Sequence, residues 1–343
     1  MHITIAERLK PFSHEPGIQF ILPGSCLRFT CYPALLRVHD LSQTPPKLLT
    51  DVTLNVTGPL TDFTVQQDLE KARIYIWGHS PKGFLRYAIH AVADAPKQFL
   101  IKIEKKPEDF GMSYPNETAD PYSPKPTERL SLGSHKNQDW TLLQRHNDMH
   151  AILPLWFRLG QLTPHFQNQT CEGSLHLLKE CQQLINTHNT TALVPALTLL
   201  LQAGFEPGLS PRLSDESNLG LRLPPVTSQA SPLILLSEGA ALIRSCFIAT
   251  HSNHISILPA LPPEFHCGRL IQVHLPNLGI LDMEWSKKLI RRIHFQALTT
   301  ANVSFQFQKD ITRFRLNGCF VETIQRSAHL PIEKGNSYFF DRF

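Results

Sequence analysis

No two cysteines in this sequence are spaced C-x-x-C, and the seven present, Cys26, Cys31, Cys171, Cys181, Cys246, Cys267 and Cys319, are an odd number. Zinc ribbons and thioredoxin-type motifs are thereby excluded, and scattered reduced thiols are the reading. Long apolar runs are missing too. The longest, residues 192–201, is broken by Pro195 and Thr198 and falls well short of the ~18 residues of a membrane span. Charge of one sign is scarce. Lys and Arg number 33 against 29 Asp and Glu, a net +4, and no basic block stands out, so no nucleic-acid partner is expected. The first residues carry no apolar export segment, which predicts a cytoplasmic location. There is no Gly-rich phosphate loop, no G-x-S-x-G elbow and no assignable Cys/His pair. Nucleotide-dependent and acyl-transfer enzymes therefore find no support. Glycine is sparse beside proline, 17 against 27, which favours many strand-to-loop transitions over long helices.

What is present is a globular composition, 42% hydrophobic and 18% charged, sufficient for a real core. Residues 1–108 alternate with period two. Val52, Leu54 and Val56 form one such row, and Leu85, Tyr87, Ile89 and Ala91 another. Alternation of this kind predicts strands with one buried face, here an antiparallel β-sandwich. Residues 109–133 are Pro-rich and polar and read as an extended, poorly packed linker. Residues 134–250 carry the helical signals, with room for about four or five helices. Ser134 is a candidate cap for a helix beginning near Asn137, Pro154 lies inside that same pattern and should end or kink it, and Gly204 should stop another helix. Leu177, Leu178, Cys181, Leu184 and Ile185 form one helical stripe, and Leu236, Ala240, Ile243 and Phe247 a second. Residues 206–232 read as a long proline-rich loop. Residues 251–343 return to β, with rows at Leu281, Met283, Trp285 and at Val303, Phe305, Phe307, and a hairpin dipeptide at Asn317-Gly318. Tyr338, Phe339, Phe340 and Phe343 predict a docked C-terminus, as an edge strand of the last β-domain or, as the second choice, on a partner subunit. The fold expected is therefore α+β and multidomain: an N-terminal antiparallel sandwich, a short helical middle and a small antiparallel C-terminal domain.

Candidate chemistry is thin. Acids in the helical part include Asp139, Asp148, Glu180, Glu206, Asp215, Glu216 and Glu238, each most simply a solvated carboxylate. Asp148 and Glu238 are the catalytic candidates. Ser237-Glu238-Gly239 opens an apolar helix, although a macrodipole-stabilised acid explains that position without chemistry. His146 and His150 stand at i, i+4, a spacing that can bind zinc. The Glu of an H-E-x-x-H motif is replaced by Asn147 and no third ligand is assignable, so a polar helix face is the reading and no metal or cofactor is expected. His251 and His254 flank a turn and read the same way. Trp140 and Trp156, with Phe157 and Phe166 near them, are the ligand-binding candidates, because aromatic faces stack on sugar rings as well as filling cores.

The run Ile257-Leu258-Pro259-Ala260-Leu261-Pro262-Pro263-Glu264-Phe265, then Gly268, then Gly279 to Trp285 and Lys288-Leu289-Ile290, resembles a junction in family 95 glycoside hydrolases, the α-L-fucosidase group. A weaker echo is Asp68-Leu69-Glu70-Lys71-Ala72. The resemblance covers residues 233–300. It implies an α/α toroid in which a carboxylic acid is the general acid and an Asn–Asp arrangement activates water, with inversion. The sequence departs from that pattern twice. The helical part is too short for a full toroid, which makes it a reduced remnant, and the family's Asp before the last helix falls on Ile234. No catalytic residue carries over. The functional expectation is a degenerate glycoside-hydrolase-like protein with a carbohydrate-binding or scaffolding role and a glycan as partner. Its alternatives are an active inverting glycosidase with a rebuilt site and a protein-interaction module.

Overall fold

The computed structural model describes residues 2–114, 119–125, 127–133, 138–167, 170–215, 223–309 and 311–343. The chain is an α+β multidomain protein, with helices between two sets of β-sheets. The first ten strands are β1 (Phe12–Ser13), β2 (Ile18–Ile21), β3 (Leu27–Tyr32), β4 (Leu35–Asp40), β5 (Lys47–Asn55), β6 (Thr61–Asp68), β7 (Arg73–Ser80), β8 (Gly83–Val92), β9 (Ala95–Lys105) and β10 (Gly111–Met112). They form two five-stranded sheets, ordered β1-β6-β7-β8-β9 and β10-β5-β4-β3-β2. The alternation in β8 explains its side: Leu85, Tyr87, Ile89 and Ala91 are all buried in the core. The Phe29 and Phe99 rings meet edge to face across the two sheets at 5.0 Å.

The described residues of 109–133 are packed, unlike the extended, poorly packed linker that the prolines suggest. β10 adds to β5, and the Tyr114 ring stacks on Phe99 at 4.5 Å while its hydroxyl donates to the Phe99 carbonyl at 2.9 Å. The Tyr122 amide donates to the Ala91 carbonyl at 2.8 Å. Strand β11 (Arg129–Ser131) then joins the C-terminal sheet beside β16 (Gly268–Leu275). Proline removes a donor but leaves its carbonyl and its ring available, so a Pro-rich segment can still pack.

Among the described residues five helices follow: α1 (Trp140–His146), α2 (Met149–Gln161), α3 (Ser174–Asn186), α4 (Leu193–Gly204) and α5 (Ile234–Phe247). The cap expected at Ser134 lies outside the described residues; Asp139 caps α1 by accepting from the Thr141 amide at 2.9 Å. α2 does not end at Pro154 but continues to Gln161, with Pro154 buried among the residues of its core face. Tertiary packing here outweighs one lost helical hydrogen bond. Gly204 is the last residue of α4 rather than a left-handed stop, because Phe205 continues as extended chain. α2 packs on α5, and α3 packs on both α4 and α5. Glu172, just ahead of α3, ties down the proline-rich stretch before α5, accepting from the Thr227 and Ser228 amides at 2.8 Å and from the Thr227 hydroxyl at 2.7 Å. Those bonds, the Ser228 amide first, pull its carboxyl down from 4.5 to about 2. A depressed folded-state pKa stabilises above the unfolded value and fades as pH falls through the folded one. Glu172→Gln is therefore expected to melt below the parent at pH 7, with the gap closing between about pH 4.5 and pH 2. A gap unchanged across that window would show that the carboxylate is not the stabilising form.

The remaining strands are β12 (Phe205–Glu206), β13 (Ser210–Pro211), β14 (Ile248–His251), β15 (His254–Ile257), β17 (Gly279–Ser286), β18 (Leu289–Ala297), β19 (Ala301–Gln306), β20 (Arg313–Leu316), β21 (Cys319–Glu322), β22 (Ser327–Ile332) and β23 (Ser337–Asp341). β12 and β13 pair as a two-stranded hairpin, and the others, with β11 and β16, build a seven-stranded sheet, β11-β16-β17-β18-β23-β20-β21, and a four-stranded one, β14-β15-β19-β22. One pair departs from the antiparallel expectation: β15 runs parallel to β19. The chain between them makes the whole excursion through β16, β17 and β18, long enough for a parallel crossover. The C-terminal strand is docked, but inside the sheet between β18 and β20 rather than at its edge. After β15, Leu258 takes φ 53° and donates its amide to the Phe247 carbonyl at 2.8 Å. Residues 258–262 thus form a connector against the end of α5. Trp285 stacks on Phe247 at 5.1 Å and donates its indole N–H to the Phe265 carbonyl at 2.9 Å.

Candidate functional site

A cavity of about 480 Å³ opens where α1, the end of α4 and the β12–β13 hairpin meet. α1 supplies Trp140, Gln144 and Arg145, α4 supplies Leu201 and Gln202, and the hairpin supplies Phe205, Glu206, Pro207, Leu209 and Arg212. Asn147 and Ile152 complete the wall. The hairpin exists because Pro207-Gly208 turns the chain. Gly208 has φ 81°, and a Cβ there would lie 2.2 Å from the Gln19 carbonyl, so only glycine lets the turn seat on the N-terminal sandwich. Arg212 fastens the hairpin to α4. It donates to the carbonyls of Ala203 at 3.1 Å and Gln202 at 3.0 Å. It also pairs with Asp215 at 2.8 Å and with Glu206.

Each candidate named from the sequence has a definite place. Trp140 lies on the cavity wall, only 4% exposed, and its indole N–H has no hydrogen-bond partner among the described residues. Trp156 is fully buried and donates to the Leu235 carbonyl at 3.1 Å, with its ring 4.7 Å from Phe205. It backs the cavity wall and offers no face to a ligand. Asp148 caps α2, accepting from the His150 amide at 2.9 Å. Glu238 is half-buried in α5, and neither acid is on the cavity wall. Glu216 lies outside the described residues.

The histidine pair does not share a helix face. Asn147 takes φ 48°, which ends α1 after His146, and α2 begins anew at Met149. His150 instead places Nδ1 3.2 Å from Asp148 Oδ1 and Nε2 3.2 Å from the Glu264 carbonyl oxygen. His251 and His254 face each other across the β14–β15 hairpin, both exposed. Among the described residues no group of three His, Cys, Asp or Glu is placed to hold a metal.

Sequence reasoning passed over Gln144, Arg145, Gln202 and Arg212. The Pro207-Gly208 dipeptide was the available signal, since a turn there folds a supposed loop back onto α4. Electrostatics at the site are asymmetric. Glu206 is held by Arg212 and also acts on Arg28, whose guanidinium is pushed down by burial and drawn back up by that carboxylate. Arg145 is exposed and has no ion-pair partner among the described residues. Two other concavities differ in this respect: in one Arg269 is paired with Glu284, and in the other Arg244 grips both carboxylate oxygens of Glu128.

The thiols take no part in this site. Cys26, Cys31, Cys181 and Cys246 are buried, and burial pushes Cys26 up to about 11 and Cys181 and Cys246 to about 12. Cys171 and Cys319 are exposed and Cys267 half-buried. Labelling of the native protein is expected at Cys171, Cys319 and, more slowly, Cys267, with the other four reacting after denaturation without reductant. Peptide mapping that finds Cys31 or Cys246 labelled in the native state would contradict the burial described.

No protein-family model matches this sequence, and no curated protein is significantly similar to it.

Proposed function

We propose that this protein is a glycan-binding relative of the family 95 glycoside hydrolases that holds sugar in the Trp140 cavity without cleaving it. The observation that carries the reading is the cavity lining: Trp140 and Phe205 stand beside the amides of Gln144, Asn147 and Gln202 and beside Arg145, which has no ion-pair partner among the described residues, while Glu206, the one lining carboxylate among them, is committed to Arg212. Aromatic walls cover the apolar faces of pyranose rings, and amides and guanidinium groups match their hydroxyls. Hydrolysis with inversion needs two carboxyl groups about 6.5–9.5 Å apart on either side of the bond. This cavity offers one, already ion-paired. The order sandwich, helices, sandwich supports the resemblance, as does the Leu258 to Pro262 connector beneath α5.

Glycan-array hits measured by calorimetry test the reading. Gln144→Ala combined with Arg145→Ala removes two exposed side chains and is expected to leave melting unchanged. Binding is expected to weaken about tenfold or more, which is ~1.4 kcal/mol. An array with no hit, or binding untouched by the double variant, would remove the glycan assignment and leave a protein-interaction role.

A further inference from the structure

The outer face of the N-terminal sandwich carries a second arrangement that the cavity does not explain. Along β7, Arg73, Tyr75 and Trp77 point away from the core, and on the neighbouring strands Arg86, Ala88 and Lys102 lie beside them in register. The Arg73 guanidinium carbon sits 4.4 Å from the Tyr75 ring centroid, and that of Arg86 sits 4.7 Å from the same ring and 5.9 Å from Trp77. One phenol ring thus holds two guanidinium planes, which leaves their N–H edges rather than aromatic faces to meet a ligand.

The charge is not balanced locally. Arg86 pairs with Glu104 at 2.9 Å, an exposed contact of little strength. Arg73 and Lys102 have no ion-pair partner among the described residues, and the Arg73 Nε is buried without a hydrogen-bond partner. Asp68, opposite Arg73 on β6, is taken by Lys10 at 2.8 Å and by the Glu70 and Lys71 amides. Both cations press on His90, which burial chiefly, then Arg73 and Lys102, lower to about 4. His90 is therefore neutral near pH 7 and adds no charge of its own. Ala88 leaves the floor between Tyr75 and Lys102 low.

We infer that this face binds an acidic polysaccharide, with Arg73, Arg86 and Lys102 receiving its carboxylate or sulfate groups. Pre-oriented guanidinium edges suit forked anions. Rings already covered by those guanidiniums do not offer the open stacking platform that single-stranded nucleic acid uses. The site lies on β7, β8 and β9, away from the Trp140 cavity wall, and stands independently of the reading given to that cavity.

The test uses the full chain, a heparin-derived octasaccharide, an oligogalacturonate, neutral dextran and a single-stranded RNA of similar charge. Binding is expected for the two acidic glycans and not for dextran. Lys102→Glu, at an exposed position, should weaken it about tenfold or more with melting unchanged. Arg73→Lys, which keeps the charge and loses the fork, should weaken it by a smaller factor. Binding unaffected by Lys102→Glu, equal binding of dextran, or RNA binding more tightly through the same residues would each overturn the assignment. Glycans bound at the cavity should respond to the Gln144/Arg145 double variant and not to Lys102→Glu, so failure of one site is readable separately from failure of the other.

Discussion

Deleting residues 337–343 is expected to unfold the C-terminal sandwich rather than trim its edge. β23 is bonded to β18 on one side, from Arg292↔Asp341 to Gln296↔Ser337, and to β20 on the other. Removing it cuts the seven-stranded sheet in two and strands β20 and β21. Phe340 is fully buried and lies 4.9 Å from Phe305 of the opposite sheet and 5.4 Å from Phe314. Phe343 adds ring contacts at 5.5 Å to Phe307 and 5.7 Å to Phe314. Asp341 grips Arg315 through both oxygens, at 2.7 and 2.5 Å, and that pairing holds its carboxyl below the usual range. Phe340→Ala alone should cost about 3–5 kcal/mol, a large part of the ~5–15 kcal/mol that a domain has in all. The deletion should exceed it and yield aggregated or insoluble protein. A truncated chain that melts and elutes like its parent would contradict the internal placement of β23.

Gly160→Ala is expected to destabilise strongly, against the helix-propensity rule. In an open helix, Ala for Gly gains about 1 kcal/mol. Here a Cβ on Gly160 would lie 2.1 Å from the Leu236 carbonyl oxygen and 2.7 Å from the Ala240 Cβ. Gly239 is the reciprocal contact from α5, where a Cβ would meet the Trp156 ring at 2.6 Å. The obstruction at Gly160 is backbone, which cannot rotate aside, so α2 and α5 must separate. Overpacking of this kind costs about 1–3 kcal/mol and sometimes more, and Gly160 should lie at the upper end. Gly239→Ala should cost less, because an indole can tilt. Once the helices have parted, the second substitution should add little, so the double variant should be less unstable than the sum. Chemical denaturation of the two single variants and the double reads all of this. An Ala at position 160 that raises the midpoint would show the helices are not in the contact described.

Local pattern carried the sequence reading wherever a face is half-buried. Leu85 to Ala91 and Leu281 to Trp285 alternate because one side of each sheet is core, and the Leu236, Ala240, Ile243, Phe247 stripe is the face of α5 that packs inward. What escaped depends on non-local partners or on one backbone angle. An aromatic tail signals docking, but its position between β18 and β20 is set by strands far away in sequence. Asn147 in the left-handed region splits a helical pattern that composition reads as continuous, and so separates His146 from His150. The prolines of 109–133 and 206–232 look like loop and still supply β10, β11, β12 and β13. At the candidate site Trp140 was legible as a large aromatic on a polar helix. Gln144, Arg145 and Gln202 were not, because polar residues flanking a helix look solvated until a hairpin folds over to make a cavity beside them.

The proposed glycan-binding role requires that the cavity hold a sugar and leave it intact. The direct measurement is a time course in which the tightest array hit, and in parallel an aryl α-L-fucoside panel, are incubated with the protein while reducing ends and released aglycone are followed. A saturable complex is expected, lost in the Gln144/Arg145 double variant, from which the glycan is recovered unchanged. Sustained turnover that Glu206→Gln abolishes would contradict it, and would make Glu206 a working carboxylate of an active glycosidase.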